Sequence, residues 1–136
     1  NIVAVKEASG NLDQVMEIIR TTPPDFKVYS GDDNLTLPIV AVGGVGVVSV
    51  AAHVVGNQMQ EMLAAFFAGD YAKAQAINSK LLPFFKVIFI TTNPIPIKAA
   101  VNLLGLNAGP VRLPLIEASP AEVEKIKAVM EQLNIL

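Results

Sequence analysis

The stretch Asn1-Ile2-Val3-Ala4-Val5-Lys6-Glu7-Ala8-Ser9-Gly10 sets one lysine at the end of a short apolar run. Ile2 to Val5 is continuous, β-branched or small, and closes in a polar turn. That is the pattern of a strand covered on both faces in a parallel sheet. Side chains alternate across a strand, so Lys6 shares a face with Ile2 and Ala4. Apolar walls around the strand tip would disfavour the ammonium and leave a neutral amine, the nucleophile that forms a Schiff base with a carbonyl compound. The same side chain could instead lie along the strand end and put its ammonium into water. From these residues alone the second reading is the stronger, because lysine is so rarely buried.

Outward from this stretch, strands and helices alternate. Asn11 is suited to cap a helix, with Gln14 three residues on as a weak relative of the capping box. Leu12, Val15, Met16 and Ile19 form its apolar stripe, and the helix is expected to end near Thr21 and Thr22, before Pro23-Pro24. Phe26 to Tyr29 reads as a second strand, closed by Ser30-Gly31-Asp32-Asp33. Two adjacent carboxylates can serve acid–base work. At a helix start, however, Asp32 or Asp33 is better read as the cap of a helix from Asn34 to Val42. Gly43-Gly44-Val45-Gly46 then leads into a third strand, Val45 to Val50. Phosphate-binding glycine loops follow a strand, and these glycines precede one, so a tight helix-to-strand loop is the better reading. Short connections in this order predict a parallel sheet.

Beyond Val50 the pattern is helical. A lone His53 shows no triad partner and reads as a surface or packing residue. One helix runs from about Asn57 to Ala68. Asp70 caps the next, which continues to about Thr92 with Pro83 inside it. Its stretch Leu81 to Ile90 is apolar nearly all round and belongs in a core or an interface. Asn93-Pro94-Ile95-Pro96-Ile97-Lys98 sets a helix start near Pro96, and Gly105 ends that helix. Leu106 to Ile116 is a connector. Ser119-Pro120-Ala121-Glu122 opens a last helix with the stripe Val123, Ile126, Met130 and Leu133.

Composition narrows the function classes. Charged residues make up 16% of the 136, against roughly 25% in an average domain. The 52% of hydrophobic residues needs cover from a subunit interface or from further chain. The opening inside a strand likewise predicts a piece of a longer protein. A net charge of −2 with no basic stripe argues against nucleic-acid binding. Without Cys, and with one His, thiolate and imidazole metal sites are not expected. Asn34 to Gln60 holds no Asp, Glu, Lys or Arg, yet its proline, glycine cluster and strand pattern argue against a membrane span.

Four motifs carry a resemblance. Val5-Lys6-Glu7-Ala8-Ser9-Gly10-Asn11, Ser30-Gly31-Asp32-Asp33, Gly43-Gly44-Val45-Gly46-Val47-Val48-Ser49-Val50 and Asn93-Pro94-Ile95-Pro96-Ile97-Lys98 occur in that order. Together they resemble the C-terminal half of the dihydrodipicolinate synthase family. The resemblance implies the α/β class: the last three strands, six to eight, of a (β/α)8 TIM barrel, followed by a C-terminal helical region. Residues 1–68 are then the partial barrel and 69–136 the helical region. It implies that Lys6 condenses with pyruvate, and that the enamine so formed attacks aspartate semialdehyde to give 4-hydroxy-tetrahydrodipicolinate, a precursor of diaminopimelate and lysine. Gly31 and Val48 would line the pocket, chiefly through backbone. No cofactor and no metal are implied. A cytoplasmic homotetramer is, with the helix around Leu81 to Ile90 as candidate interface. The family's proton-relay residues, substrate-carboxylate arginine and lysine feedback site would belong to an absent N-terminal half, so this chain alone is expected to be inactive. Sister pyruvate lyases, such as N-acetylneuraminate lyase, share the imine chemistry and remain an alternative, as does a non-catalytic half-barrel.

Overall fold

Three short strands run parallel, each followed by a helix. The computed structural model describes residues 1–136. The strands β1 (Ala4–Glu7), β2 (Lys27–Ser30) and β3 (Gly46–Val47) form one sheet in the order β1-β2-β3. Val5 lies opposite Val28, Lys6 opposite Tyr29, and Tyr29 opposite Gly46. Helix α1 (Leu12–Thr21) follows β1; a 3-10 turn (Asp33–Leu35) and α2 (Thr36–Ala41) follow β2. Helices α3 (Ala52–Phe67), α4 (Tyr71–Val87), α5 (Ile95–Leu103) and α6 (Pro120–Gln132) complete the chain.

The first strand starts two residues later than the apolar run suggests. Ile2 and Val3 are 81% and 69% exposed, and Ala4 and Val5 are only half-buried. The reason is that β1 has a neighbour on one side only, and that neighbour begins at Lys27. Likewise β3 is two residues long, not six, because β2 ends at Ser30 and Ser49 turns away to another partner. The helix expected from Asn34 to Val42 is split into the 3-10 turn and α2. Helix α3 begins ahead of Asn57, with a non-helical break at Val55 (φ −116°, ψ 29°). Helix α4 ends at Val87, short of Thr92, in a run of turn bonds from Ile88 to Ile90.

Local chemistry explains most helix ends. Asn11 accepts from the N–H groups of Asp13 and Gln14, and Asp70 from that of Lys73. Thr22, the residue before Pro23, is extended, as a proline demands of its predecessor. Helix α6 opens with a complete capping box between Ser119 and Glu122. Met16, expected in the stripe of α1, is exposed; Leu12, Val15, Ile18 and Ile19 face inward instead.

Two cores result. The smaller joins Val15, Val28 and Ile39 beneath the outer face of β1 and β2. The larger gathers α3, α4, α5 and α6 around Phe84 and Ile88, neither of which has any exposed surface. Of the apolar stretch Leu81 to Ile90, Leu81, Phe84, Phe85, Val87 and Ile88 are buried within this chain, whereas Leu82 is half-buried and Phe89 and Ile90 are exposed. No helix is long and apolar enough to cross a membrane.

The capping box gives a direct test. Ser119→Ala removes the acceptor for Glu122 N–H, and the expected cost is about 1 kcal/mol. It should appear as a lower urea midpoint at unchanged slope for the full-length protein carrying this chain.

Candidate active site at the strand tips

Lys6 stands next to the last residue of β1, on the face opposite the Val15–Val28–Ile39 core. Its registered partner is Tyr29, one strand spacing away on the same face. The Tyr29 ring in turn lies over Gly46: a Cβ there would sit 3.4 Å from two ring carbons. The lysine side chain is exposed in this chain, and no low-dielectric wall covers it.

Gly31, just past the tip of β2, is where the lysine passes. A Cβ at Gly31 would fall 2.5 Å from the Ala8 Cβ, 2.9 Å from Lys6 Cε and 3.1 Å from the Glu7 carbonyl oxygen. Only hydrogen fits. The Gly31 N–H donates to Glu7 O at 2.7 Å, closing the tips of β1 and β2 on each other. Val48 N–H donates to Ser30 O at 2.8 Å, which brings the start of the loop after β3 to the same end of the sheet. The Val48 side chain is 48% exposed. Lys6, Gly31 and Val48 therefore gather at one end of the sheet, with Tyr29 beside them.

The glycines ahead of β3 make no anion cradle. Gly43 N–H donates to Val40 O and Gly44 N–H to Ile39 O, so both donors are used in the turn. A Cβ at Gly44 would sit 2.5 Å from Ile39 Cγ2, and Gly43 has φ +112°. This is the tight helix-to-strand loop expected. His53 is exposed near the start of α3.

The acidic pair behaves differently from its sequence reading. Neither Asp32 nor Asp33 caps the 3-10 turn or α2 through its side chain. Asp33 is 1% exposed and reaches across to the loop after β3. It accepts from the Ser49 hydroxyl and, through Oδ2, from Ala51 N–H at 3.0 Å. Burial pushes its carboxyl above the ordinary 3.8 of an aspartate, the Asp32 charge acting in the same sense, while bonds from Ser49, Ala51 and Val50 pull it down. Nothing in the local sequence signals this, because the partner is sixteen positions away. Glu7, also buried, accepts from Ser9 N–H at 3.0 Å and from Gln14 Nε2 at 3.1 Å. Gln14 thus braces the strand tip and does not complete a box with Asn11.

Comparison with known proteins gives the family. The profile described as "Dihydrodipicolinate synthetase family" matches residues 1–133. The chain belongs to the dihydrodipicolinate synthetase family. It is 58% identical over 136 residues to a 4-hydroxy-tetrahydrodipicolinate synthase of Cyanothece sp., covering 100% of this chain and 46% of that protein. A synthase of Moorella thermoacetica is 57% identical, with 47% of its length covered. The crystal structure of the synthase from Cyanidioschyzon merolae with lysine bound matches with a TM-score of 0.96 at 46% identity, covering 99% of this chain and 46% of that one. The Aquifex aeolicus dihydrodipicolinate synthase structure matches at 0.96 and 44% identity, again over 46% of its length. The chain thus spans about half the length of the family members it matches. Its three parallel strands and six helices are the C-terminal part of the family's TIM barrel with the helical region that follows.

Two measurements probe this end of the sheet. Gly31→Ala should destabilise the full-length protein by about 1–3 kcal/mol through overpacking. Adding Ala8→Gly, which deletes the nearest clashing atom, should restore part of that loss in urea unfolding; no restoration would mean the Gly31–Ala8 approach is not what forbids a side chain. The second concerns pH. A folded-state value raised above the unfolded one gives stability that is fully present below the unfolded value and lost as pH rises through the folded one. The unfolding free energy of wild type minus that of Asp33→Asn should therefore fall as pH is raised from 3.8 through the higher folded-state value. A difference that grows with pH would show that the hydrogen bonds outweigh burial.

Proposed function

We propose that this chain acts as the C-terminal part of a Schiff-base synthase that condenses pyruvate with aspartate semialdehyde to 4-hydroxy-tetrahydrodipicolinate, on the route to diaminopimelate and lysine. In this reading residues 1–68 contribute barrel strands six to eight and residues 69–136 the C-terminal helical region. The Lys6 amine adds to the pyruvate ketone and water leaves, giving an imine. Loss of a methyl proton from the protonated imine gives an enamine, which attacks the aldehyde carbon. Ring closure by the second substrate's own amine then expels Lys6. The imine is the electron sink, so no metal or organic cofactor is required.

The observation that carries this reading is the passage of Lys6 over Gly31. The side chain leaves β1 and crosses a position where a Cβ would meet its Cε at 2.9 Å, at the end of the sheet where Val48 N–H is bonded to Ser30 O. Gly31 and Val48 then flank the imine chiefly through backbone. The exposure of Lys6 in this chain is consistent with the remaining walls coming from barrel strands outside it. Those strands also supply the proton relay and the carboxylate-binding cation, so the 136 residues alone carry the nucleophile without turning over substrate. The full-length enzyme is a cytoplasmic homo-oligomer, a tetramer in the family's manner.

Borohydride reduction of the full-length protein in the presence of pyruvate, followed by peptide mass mapping, tests the assignment. The adduct is expected on Lys6, and Lys6→Ala is expected to lose both adduct and synthase rate. An adduct on Lys27, Lys86 or Lys98, or none, would sink it. A panel of aldehydes, supplied with pyruvate to the unreduced full-length protein, separates the synthase from a sister pyruvate lyase such as N-acetylneuraminate lyase, and a synthase rate from the isolated chain would refute its incompetence.

A further inference from the structure

Strand β3 is only Gly46–Val47, too short to fix by its own ladder where the following residues lie. Yet Val48 belongs to the proposed pocket. Two grips hold the chain on either side of its Cα. On the amino side, Val48 N–H donates to Ser30 O at 2.8 Å. On the carboxyl side, the next residue, Ser49, donates its hydroxyl to Asp33. The same carboxylate takes Ala51 N–H at 3.0 Å, and Ser49 Oγ takes Ala52 N–H at 2.8 Å. The first amides of α3 are thus satisfied from outside the helix, since Ala51 has no side chain able to cap it.

Asp33 is itself held firmly. Its side chain is 1% exposed, and its main-chain carbonyl accepts from the Thr36 hydroxyl at 2.8 Å, Thr36 having no exposed surface. Ser30, equally buried, donates to Asp32 O at 2.7 Å and fixes the residue before. The loop after β2 is therefore a rigid post. The loop after β3 is tied to it by a carboxylate, not by strand pairing.

We infer that Asp33 is a positioning residue for the proposed pocket: by gripping Ser49 and Ala51 it sets where the Val48 main chain stands relative to Lys6 and Gly31. The inference rests on the Schiff-base reading of Lys6. It assigns Asp33 no contact with substrate and no proton transfer. The substitution Asp33→Asn would keep the shape of the side chain but replace one acceptor by an NH2 donor, so that with Oδ1 on Ala51 N–H the bond to Ser49 must reverse, its hydroxyl turning toward Met59 Sδ. The loop would shift, whereas Lys6, on β1, would not.

The test uses the full-length protein and the variant Asp33→Asn, assayed well below its melting temperature. Misplacement of one pocket wall should raise the pyruvate KM by about tenfold, since small displacements of positioning groups are felt strongly. Borohydride should still trap pyruvate on Lys6 when pyruvate is saturating. A lowered melting temperature with KM and kcat unchanged would make Asp33 merely structural and overturn the inference. Should Asp33→Asn fail to fold, Ser49→Ala removes one grip and leaves Ala51 held; a raised pyruvate KM supports the inference and an unchanged one overturns it. Absence of any Lys6 adduct in the wild-type protein would instead strike at the Schiff-base reading, independently of either variant.

Discussion

The tips of β1 and β2 meet because Gly31 has no side chain. Its N–H reaches Glu7 O at 2.7 Å only because nothing occupies the space that Ala8, Lys6 and Glu7 crowd from three sides. That contact sets the lateral position of the lysine, and through Ser30 O it also sets the anchor for Val48. A methyl at Gly31 would push hardest on the rigid Ala8 Cβ, next on Lys6 Cε and last on the Glu7 carbonyl oxygen. The constraint is thus one of strand geometry first and of lysine placement second.

The support beneath this end of the sheet is unequal. β1 and β2 rest on a core of three fully buried residues, Val15, Val28 and Ile39. The chain beyond β3 leads directly into the much larger helical core, where Ala51 and Val55 pack with Phe84, Ile88, Ile126 and Met130. Packing of α3 on α4 therefore fixes the start of α3 from below, and Asp33 transmits that fixity back to the loop after β2. A buried carboxylate is a costly way to join two loops, because its burial opposes its charge. The hydrogen bonds from Ser49 and Ala51 and the positive end of α3 offset that cost in part.

The order of elements was legible because each boundary carries local chemistry. Asn11, Asp70 and Ser119 cap the helices they precede, and Pro23 stops α1. The four motifs pointed to the family without any geometry. Strand limits were not legible, since pairing depends on what neighbours a strand has. Ile2 and Val3 look like core in sequence and are the most exposed part of the first strand's run. Met16 illustrates a smaller failure: the helical stripe is broad enough to admit it, but Ile18 faces the sheet instead. Lys6, Gly31 and Val48 were named from motif matching, and their gathering at one end is a tertiary fact that spacing cannot supply. Asp33 was misread as a cap because local rules favour acids at helix starts, whereas its partners come from a loop that only the fold brings near.

The molecular surface carries the same message as the strand edges. A single globular chain of 14.4 kDa exposes about 6,800 Å² by the usual mass scaling. This chain exposes 7923 Å². The excess lies partly at the first strand, where Ile2 and Val3 face outward, and at Val48, Phe89 and Ile90. β1 and β3 each pair on one side only, leaving main-chain donors and acceptors open at both edges. A closed barrel removes both edges at once, because the strand next to β1 and the strand next to β3 are then parts of one continuous ring. The exposure of Ile2 and Val3 and the unpaired edges therefore share a remedy, and the same closure would put low-dielectric walls around an amine that this chain leaves in water.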